Sequence, residues 1–243
     1  MAFPARTKDF RPPATWTYTI KVLNHQRDLA YNSEACVGCG LCIHACPMDG
    51  KVISWGTTPV ERILVDVGKC VHCGVCAYFC PAGALKLFIN GEERIELKEA
   101  ADQIERHSLP DFTGETLAHK KTGAPIKKYL RGSLHVPADL DEATVKNAVA
   151  ACPTGALVQA GNGLVVDEHK CFYCDACSRA TGDKIKVRRT FLLVDFKDGI
   201  SPVVKRIIER MMDEQTAARI IKGVDGYKAR DKTRLLLDNA GKP

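Results

Sequence analysis

The sequence predicts an α+β protein made of two small domains of related design, followed by a helical extension. Three observations carry this expectation. A cysteine-rich segment occurs three times, each copy preceded by a short apolar stretch of strand character. A cysteine-free, charged interval separates the second copy from the third. Beyond Pro202, apolar residues recur at helical spacing. With 243 residues the chain has room for two such domains.

Taken in order, TWTYTIKVL (15–23) carries enough β-formers at alternating positions to read as a strand leading into the first copy. That copy, LAYNSEACVGCGLCIHACP, ends at Pro47, and the second, LVDVGKCVHCGVCAYFCP, ends at Pro81. The third, LVVDEHKCFYCDACSRATG, is partial. Each runs from a short strand through a turn bearing Asn32, Asp66 or Asp167 into its cysteine loop. Residues 1–91 read as the first domain and 92–138 as a charged linker broken by Pro110, Pro125 and Pro137. Within that linker, IELKEAADQIERH reads as a helix and HKKTGAPIKKYLRG as a basic loop. Residues 139–196 read as the second domain, opening with a helix over DLDEATVKNAVAACP whose N-cap is Asp139 or Asp141. Residues 197–243 read as a basic helical extension. In it Val204, Ile207, Ile208, Met211 and Met212 form an apolar stripe, for internal packing or for docking.

The opening residues, MAFPARTKDFRPPATW, show no apolar core of a secretory signal, and no run reaches the 18 or so apolar residues of a membrane span. The expected location is cytoplasmic, with peripheral membrane attachment left open. Twelve cysteines in a reducing compartment argue for metal binding over disulfides. Cys36, Cys39, Cys42 and Cys46-Pro47 form the run C-x2-C-x2-C-x3-C-P, and Cys70, Cys73, Cys76 and Cys80-Pro81 repeat it. This run holds [4Fe-4S] clusters. Three thiolates two residues apart on one loop reach three corners of a cube, and Gly38, Gly40 and Gly74 suit the loop's backbone. The fourth cysteine lies too far round and serves the other cluster. One cluster therefore takes Cys36, Cys39, Cys42 and Cys80, and the other takes Cys70, Cys73, Cys76 and Cys46. Zinc, which pairs two C-x2-C knuckles across a longer gap, fits this spacing poorly.

Over residues 30–90 the chain resembles the two-cluster bacterial ferredoxins. The resemblance implies a small pseudo-symmetric α/β unit with short antiparallel strands beside the clusters. Overlaying the repeats explains the partial copy. If Cys152 is a fourth cysteine, its own run would fall on Glu142, Val145 and Ala148. If Cys171, Cys174 and Cys177 begin a run, its end falls on Thr181. The four cysteines that are missing would build one cluster, and the four that remain, Cys171, Cys174, Cys177 and Cys152, would build the other. CPTGAL at 152 and CPAGAL at 80 support the overlay. The second domain is thus expected to be ferredoxin-like with one cluster lost, giving three [4Fe-4S] clusters in all. A labile or [3Fe-4S] third site is the competing reading.

The formal charge of +6 lies in the C-terminal segment: from Lys184 onward 15 Lys and Arg face 8 Asp and Glu, against 20 and 21 in residues 1–183. Three clusters, each with four thiolates, would offset the excess, so no nucleic-acid partner is expected. His44 and His72 read as surface or cluster-adjacent residues, not ligands. Tyr78, Phe79, Phe172 and Tyr173 read as shields against water, and Lys120, Lys121, Lys127, Lys128 and Arg131 as a solvated loop or a guide for an acidic partner. No Walker A, G-x-G-x-x-G, H-E-x-x-H or G-x-S-x-G pattern is present. No catalytic residue is assigned, and the chain reads as a non-catalytic electron-transfer subunit. By resemblance such polyferredoxin-like subunits serve hydrogenases, formate and formylmethanofuran dehydrogenases and heterodisulfide reductases of anaerobes. The implied assembly is a hetero-oligomer with redox-enzyme subunits, exchanging electrons with a soluble ferredoxin. Two alternatives stand beside it. One is the four-cluster β-subunit of molybdopterin oxidoreductases, from which this chain departs by having twelve cysteines instead of sixteen. The other is an accessory or scaffold protein whose clusters are structural.

Overall fold

The structure is a computed structural model that describes residues 4–48, 50–58, 61–94, 111–161, 163–195, 202–213 and 215. The chain divides into two compact units, Met1–Leu109 with Ser201–Ile207 and Pro110–Ile200 with Ile208–Pro243.

The first unit contains β1 (Ala5–Arg11), β2 (Thr15–Val22), β3 (His25–Asn32), α1 (Leu41–Ala45), β4 (Ile53–Trp55), β5 (Ile63–Val65), α2 (Val75–Tyr78), β6 (Leu85–Ile89) and β7 (Glu92–Arg94). Its main sheet is antiparallel in the order β1-β2-β3-β6-β7, and β4 and β5 pair as a separate ribbon. The register places Tyr18 opposite Leu29, Leu29 opposite Leu87 and Tyr31 opposite Leu85, all buried on one face. The alternate residues are polar: Thr19 faces Asp28 and donates to it at 2.6 Å on the outer face. Asn90 and Gly91, with φ of 51° and 87°, close the two-residue turn from β6 to β7. That is the type I′ geometry that matches strand twist.

The second unit contains β8 (Asp111–Phe112), β9 (Glu115–Ala118), β10 (Pro125–Lys128), β11 (Leu130–His135), α3 (Glu142–Ala151), β12 (Leu157–Ala160), β13 (Gly163–Val166), α4 (Ala176–Ala180), β14 (Lys186–Leu192) and β15 (Val194–Asp195). Its strands pair in twos, β8 with β15, β9 with β10, β11 with β14 and β12 with β13. The N-cap of α3 is Asp141, whose carboxylate accepts from the Thr144 N–H at 2.8 Å. Lys120 Nζ donates to the Val149 carbonyl near the other end of α3 at 2.6 Å, where the helix dipole favours a cation. Ala148, Ala156, Leu157 and Ile185 form the core together with Cys152 and Cys177.

The linker expectation for 92–138 needs correction. β7 extends the first sheet, and Asp111 to His135 is largely strand belonging with the second unit. HKKTGAPIKKYLRG is not a basic loop but most of β10 and β11 with the turn before them. Ile126, Lys128, Tyr129 and Leu130 in it are buried, because inward positions of β10 alternate and Lys128 occupies one of them. The expected helix IELKEAADQIERH lies outside the described residues. In the C-terminal region α5 (Pro202–Met211) buries Val204, Ile207, Ile208 and Met211, with Met212 just beyond it. Residues 216–243 lie outside the described set. Among the described residues no helix is long and apolar enough to cross a membrane.

Candidate metal centres

All three cysteine loops leave the same turn. Asn32, Asp66 and Asp167 each accept through Oδ1 from the N–H groups two and three residues on. The first of these distances are 2.9 Å (Glu34), 2.9 Å (Gly68) and 3.0 Å (His169). The second are 3.1, 3.3 and 3.4 Å. Their carbonyls accept from Cys36, Cys70 and Cys171 at 3.2, 2.9 and 3.0 Å. An Asn or Asp that closes a turn through its own side chain is the reason this residue type precedes every loop.

Two positions of each loop are left-handed: Gly38 and Gly40, His72 and Gly74, Tyr173 and Asp175, with φ between 51° and 77°. The three glycines are legible in the sequence. His72, Tyr173 and Asp175 are not, because residues with a β-carbon seldom adopt this backbone. Each loop then enters a short helix, α1, α2 or α4. At Gly40 an added Cβ would lie 2.5 Å from the Trp55 ring. Gly40→Ala is expected to cost ~1–2 kcal/mol from the left-handed backbone and to displace Trp55. A lower denaturant midpoint at unchanged slope checks it.

The twelve cysteines fall around three cavities. Cys36, Cys39, Cys42 and Cys80 line one. Cys46, Cys70, Cys73 and Cys76 line another. Cys152, Cys171, Cys174 and Cys177 line the third. In each, three cysteines come from one loop and the fourth from a distant turn. The third cavity thus has the same four-cysteine lining as the first two.

The thiols are chemically ready for a polynuclear cation. Among the described residues no three His, Cys, Asp or Glu side chains are gathered to hold a single metal ion. The thiols ring a volume, not a point. Burial, then the neighbouring thiols, hold Cys42 and Cys76 well above the usual thiol range, and Cys177 is pushed up to about 11. Four such groups ionise together only when bound metal supplies the positive charge. Backbone N–H groups already point at sulfur: His72 N–H donates to Cys70 Sγ at 3.4 Å and Ala84 N–H to Cys80 Sγ at 3.3 Å. Four thiols per site, most of them buried, with N–H donors to sulfur and apolar walls suit a [4Fe-4S] cluster.

Long cationic side chains tie the loops down. Arg62 donates to the Cys36 carbonyl. Arg6 donates to the Val67 and Cys70 carbonyls at 2.6 and 2.9 Å. In the second unit Lys128 Nζ donates to the Glu168 and His169 carbonyls at 2.8 and 2.7 Å, and Arg189 Nε to Tyr173 at 3.1 Å. Of the five cations read as a solvated or steering group, Lys128 is therefore a buried anchor and Lys120 a helix-end contact. His44 is exposed, whereas His72 is 1% exposed, its Nε2 donating to the Tyr18 carbonyl at 3.0 Å. Phe172 and Tyr173 line the third cavity. Phe79 is fully buried against Tyr78, outside the lining of any of the three.

Of the positions that the overlay of the repeats assigns to a missing run, Val145 and Ala148 are fully buried. Thr181 donates its hydroxyl to the Cys177 carbonyl at 2.9 Å. Glu142 faces solvent and pairs with Lys146 at 2.6 Å.

Residues 35–85 match the family model of the 4Fe-4S dicluster domain. No curated protein matches the chain significantly. Among solved structures, a chain of the formate dehydrogenase–heterodisulfide reductase–formylmethanofuran dehydrogenase complex from Methanospirillum hungatei is similar in fold. It is 19% identical with a TM-score of 0.70, over 87% of this chain and 92% of that one. Residues 35–85 thus form a 4Fe-4S dicluster domain, and the likeness to the solved chain is one of fold.

Proposed function

We propose that the protein holds three [4Fe-4S] clusters and relays single electrons as a subunit of a larger cytoplasmic redox complex. One observation carries the reading. All twelve cysteines line three cavities, four to each, and each is closed by a cysteine from a second loop. When bound, such a cluster accepts and releases one electron at a time without an open coordination position. The chain's own residues hold the thiols in place, aim N–H groups at sulfur and exclude water with apolar walls, and these are the levers that set potential. The second unit is read as a ferredoxin-like domain that has exchanged one cluster for the packing of Val145 and Ala148.

The host is proposed as a complex of the formate dehydrogenase, heterodisulfide reductase or formylmethanofuran dehydrogenase type, since the similar solved chain belongs to an assembly of that description. Its partners are then the catalytic subunits of such an enzyme. The test is anaerobic isolation, metal analysis and dithionite reduction followed by EPR. About twelve irons and twelve sulfides per chain, all reducible, support the reading. About eight irons, or bound zinc, would sink the third site, and redox-silent clusters would favour a scaffold.

A further inference from the structure

The three repeats differ at the position before their shared turn, and in the first copy the residue there lines a cluster cavity. The residue before the turn-forming Asn32, Asp66 or Asp167 is Tyr31 in the first copy, Val65 in the second and Val166 in the third. Tyr31 is fully buried on β3 and lines the cavity with Cys36, Cys39, Cys42 and Cys80. Its hydroxyl makes no hydrogen bond to any described residue. A phenol buried without a partner is destabilising, and a phenylalanine would fill the same space without that penalty. The hydroxyl group therefore calls for an acceptor that the folded polypeptide alone does not supply. Cys36 lines the same cavity. A phenol is a hydrogen-bond donor, here on the wall of a site built from sulfur. No hydroxyl occupies this place in the other two copies.

We propose that the Tyr31 hydroxyl donates a hydrogen bond to the Cys36 sulfur of the cluster-loaded first site and raises the reduction potential of that site alone. The physical cause is that an added electron makes the ligand sulfurs more negative. A donor aimed at one of them then stabilises the reduced form more than the oxidised form. Tyr31 acts through Cys36 and is a positioning residue. The proposal rests on the reading of Cys36, Cys39, Cys42 and Cys80 as ligands of one cluster.

The experiment is an EPR-monitored dithionite titration of the full, anaerobically isolated chain, wild type against Tyr31→Phe, with iron counted in both. One midpoint is expected to fall by about 59 mV, a tenfold change in a one-electron equilibrium, while the others hold and the iron content is unchanged. Unchanged midpoints at full iron content overturn the proposal. Wild-type protein with no cluster on Cys36 would overturn the ligand reading beneath it, and iron analysis detects that before any titration. Should Tyr31→Phe load less iron, NMR of the loaded wild-type protein decides. A slowly exchanging, hyperfine-shifted Tyr31 hydroxyl proton supports the bond, and a freely exchanging, unshifted one overturns it.

Discussion

Replacing Cys46 by Ala is expected to empty the cavity of the next loop, not that of the loop to which Cys46 belongs. Cys46 follows Cys42 by four residues, yet it lines the cavity of Cys70, Cys73 and Cys76, while Cys80 lines that of Cys36, Cys39 and Cys42. The single variant should lose about four of about twelve irons. Paired substitutions then assign the loss by iron analysis alone. Cys46→Ala with Cys70→Ala should lose no more iron than either single variant, because both belong to one site. Cys46→Ala with Cys36→Ala should lose about twice as much, because they belong to two. The reverse pattern would mean that each run closes its own cluster. By the same logic Cys152→Ala should strip the third site and leave the reducible signals of the first two intact.

The second large effect is expected at Lys128. The residue is 1% exposed, and its ammonium donates to two carbonyls of the turn that starts the third cysteine loop. Lys128→Met keeps the length and apolar stem but strands both acceptors. A charged hydrogen bond contributes about 1.5–3 kcal/mol, and the carbonyls lose their partner as well. A loss of roughly 3 kcal/mol in the second unit is therefore expected, seen as a lower denaturant midpoint with an unchanged slope. Iron release from the third site should precede global unfolding in the variant. An unchanged midpoint would show that water replaces the ammonium and that the anchor is dispensable.

How far the sequence could be read depended on whether a position was fixed by local chemistry or by tertiary packing. The cysteine spacing, the turn residues Asn32, Asp66 and Asp167 and the capped helix before Cys152 are local, and each was legible. For the helix, Asp139 and Asp141 were equally good caps by sequence, and the Thr144 amide chose Asp141. The strands of 111–135 were not legible, because a stretch rich in lysine looks solvated until one lysine is seen to be spent on buried carbonyls. For His72 the sequence allowed a surface or a cluster-adjacent place. The Tyr18 carbonyl on β2 holds it in the second, against the cavity of Cys70, Cys73 and Cys76. The left-handed Tyr173 and Asp175 break the glycine pattern that marks the first loop. What makes them adopt it is the shared Asx turn and helix start on either side, a constraint no single residue advertises. Tyr31 was readable as a strand residue, but its lone hydroxyl became conspicuous only against the two valines of the sister copies.

The borrowing of each closing thiol from another loop also fixes a timetable for maturation. As the chain leaves the ribosome, Cys36, Cys39 and Cys42 emerge first but remain one ligand short until Cys80 appears. Their neighbour is complete at Cys76, only four residues earlier, so the first two pockets become competent almost together. The remaining pocket cannot be finished until Cys177 is made, nearly a hundred residues later. Loading that followed the completion of each ligand set would then run as one paired event followed by one solitary event.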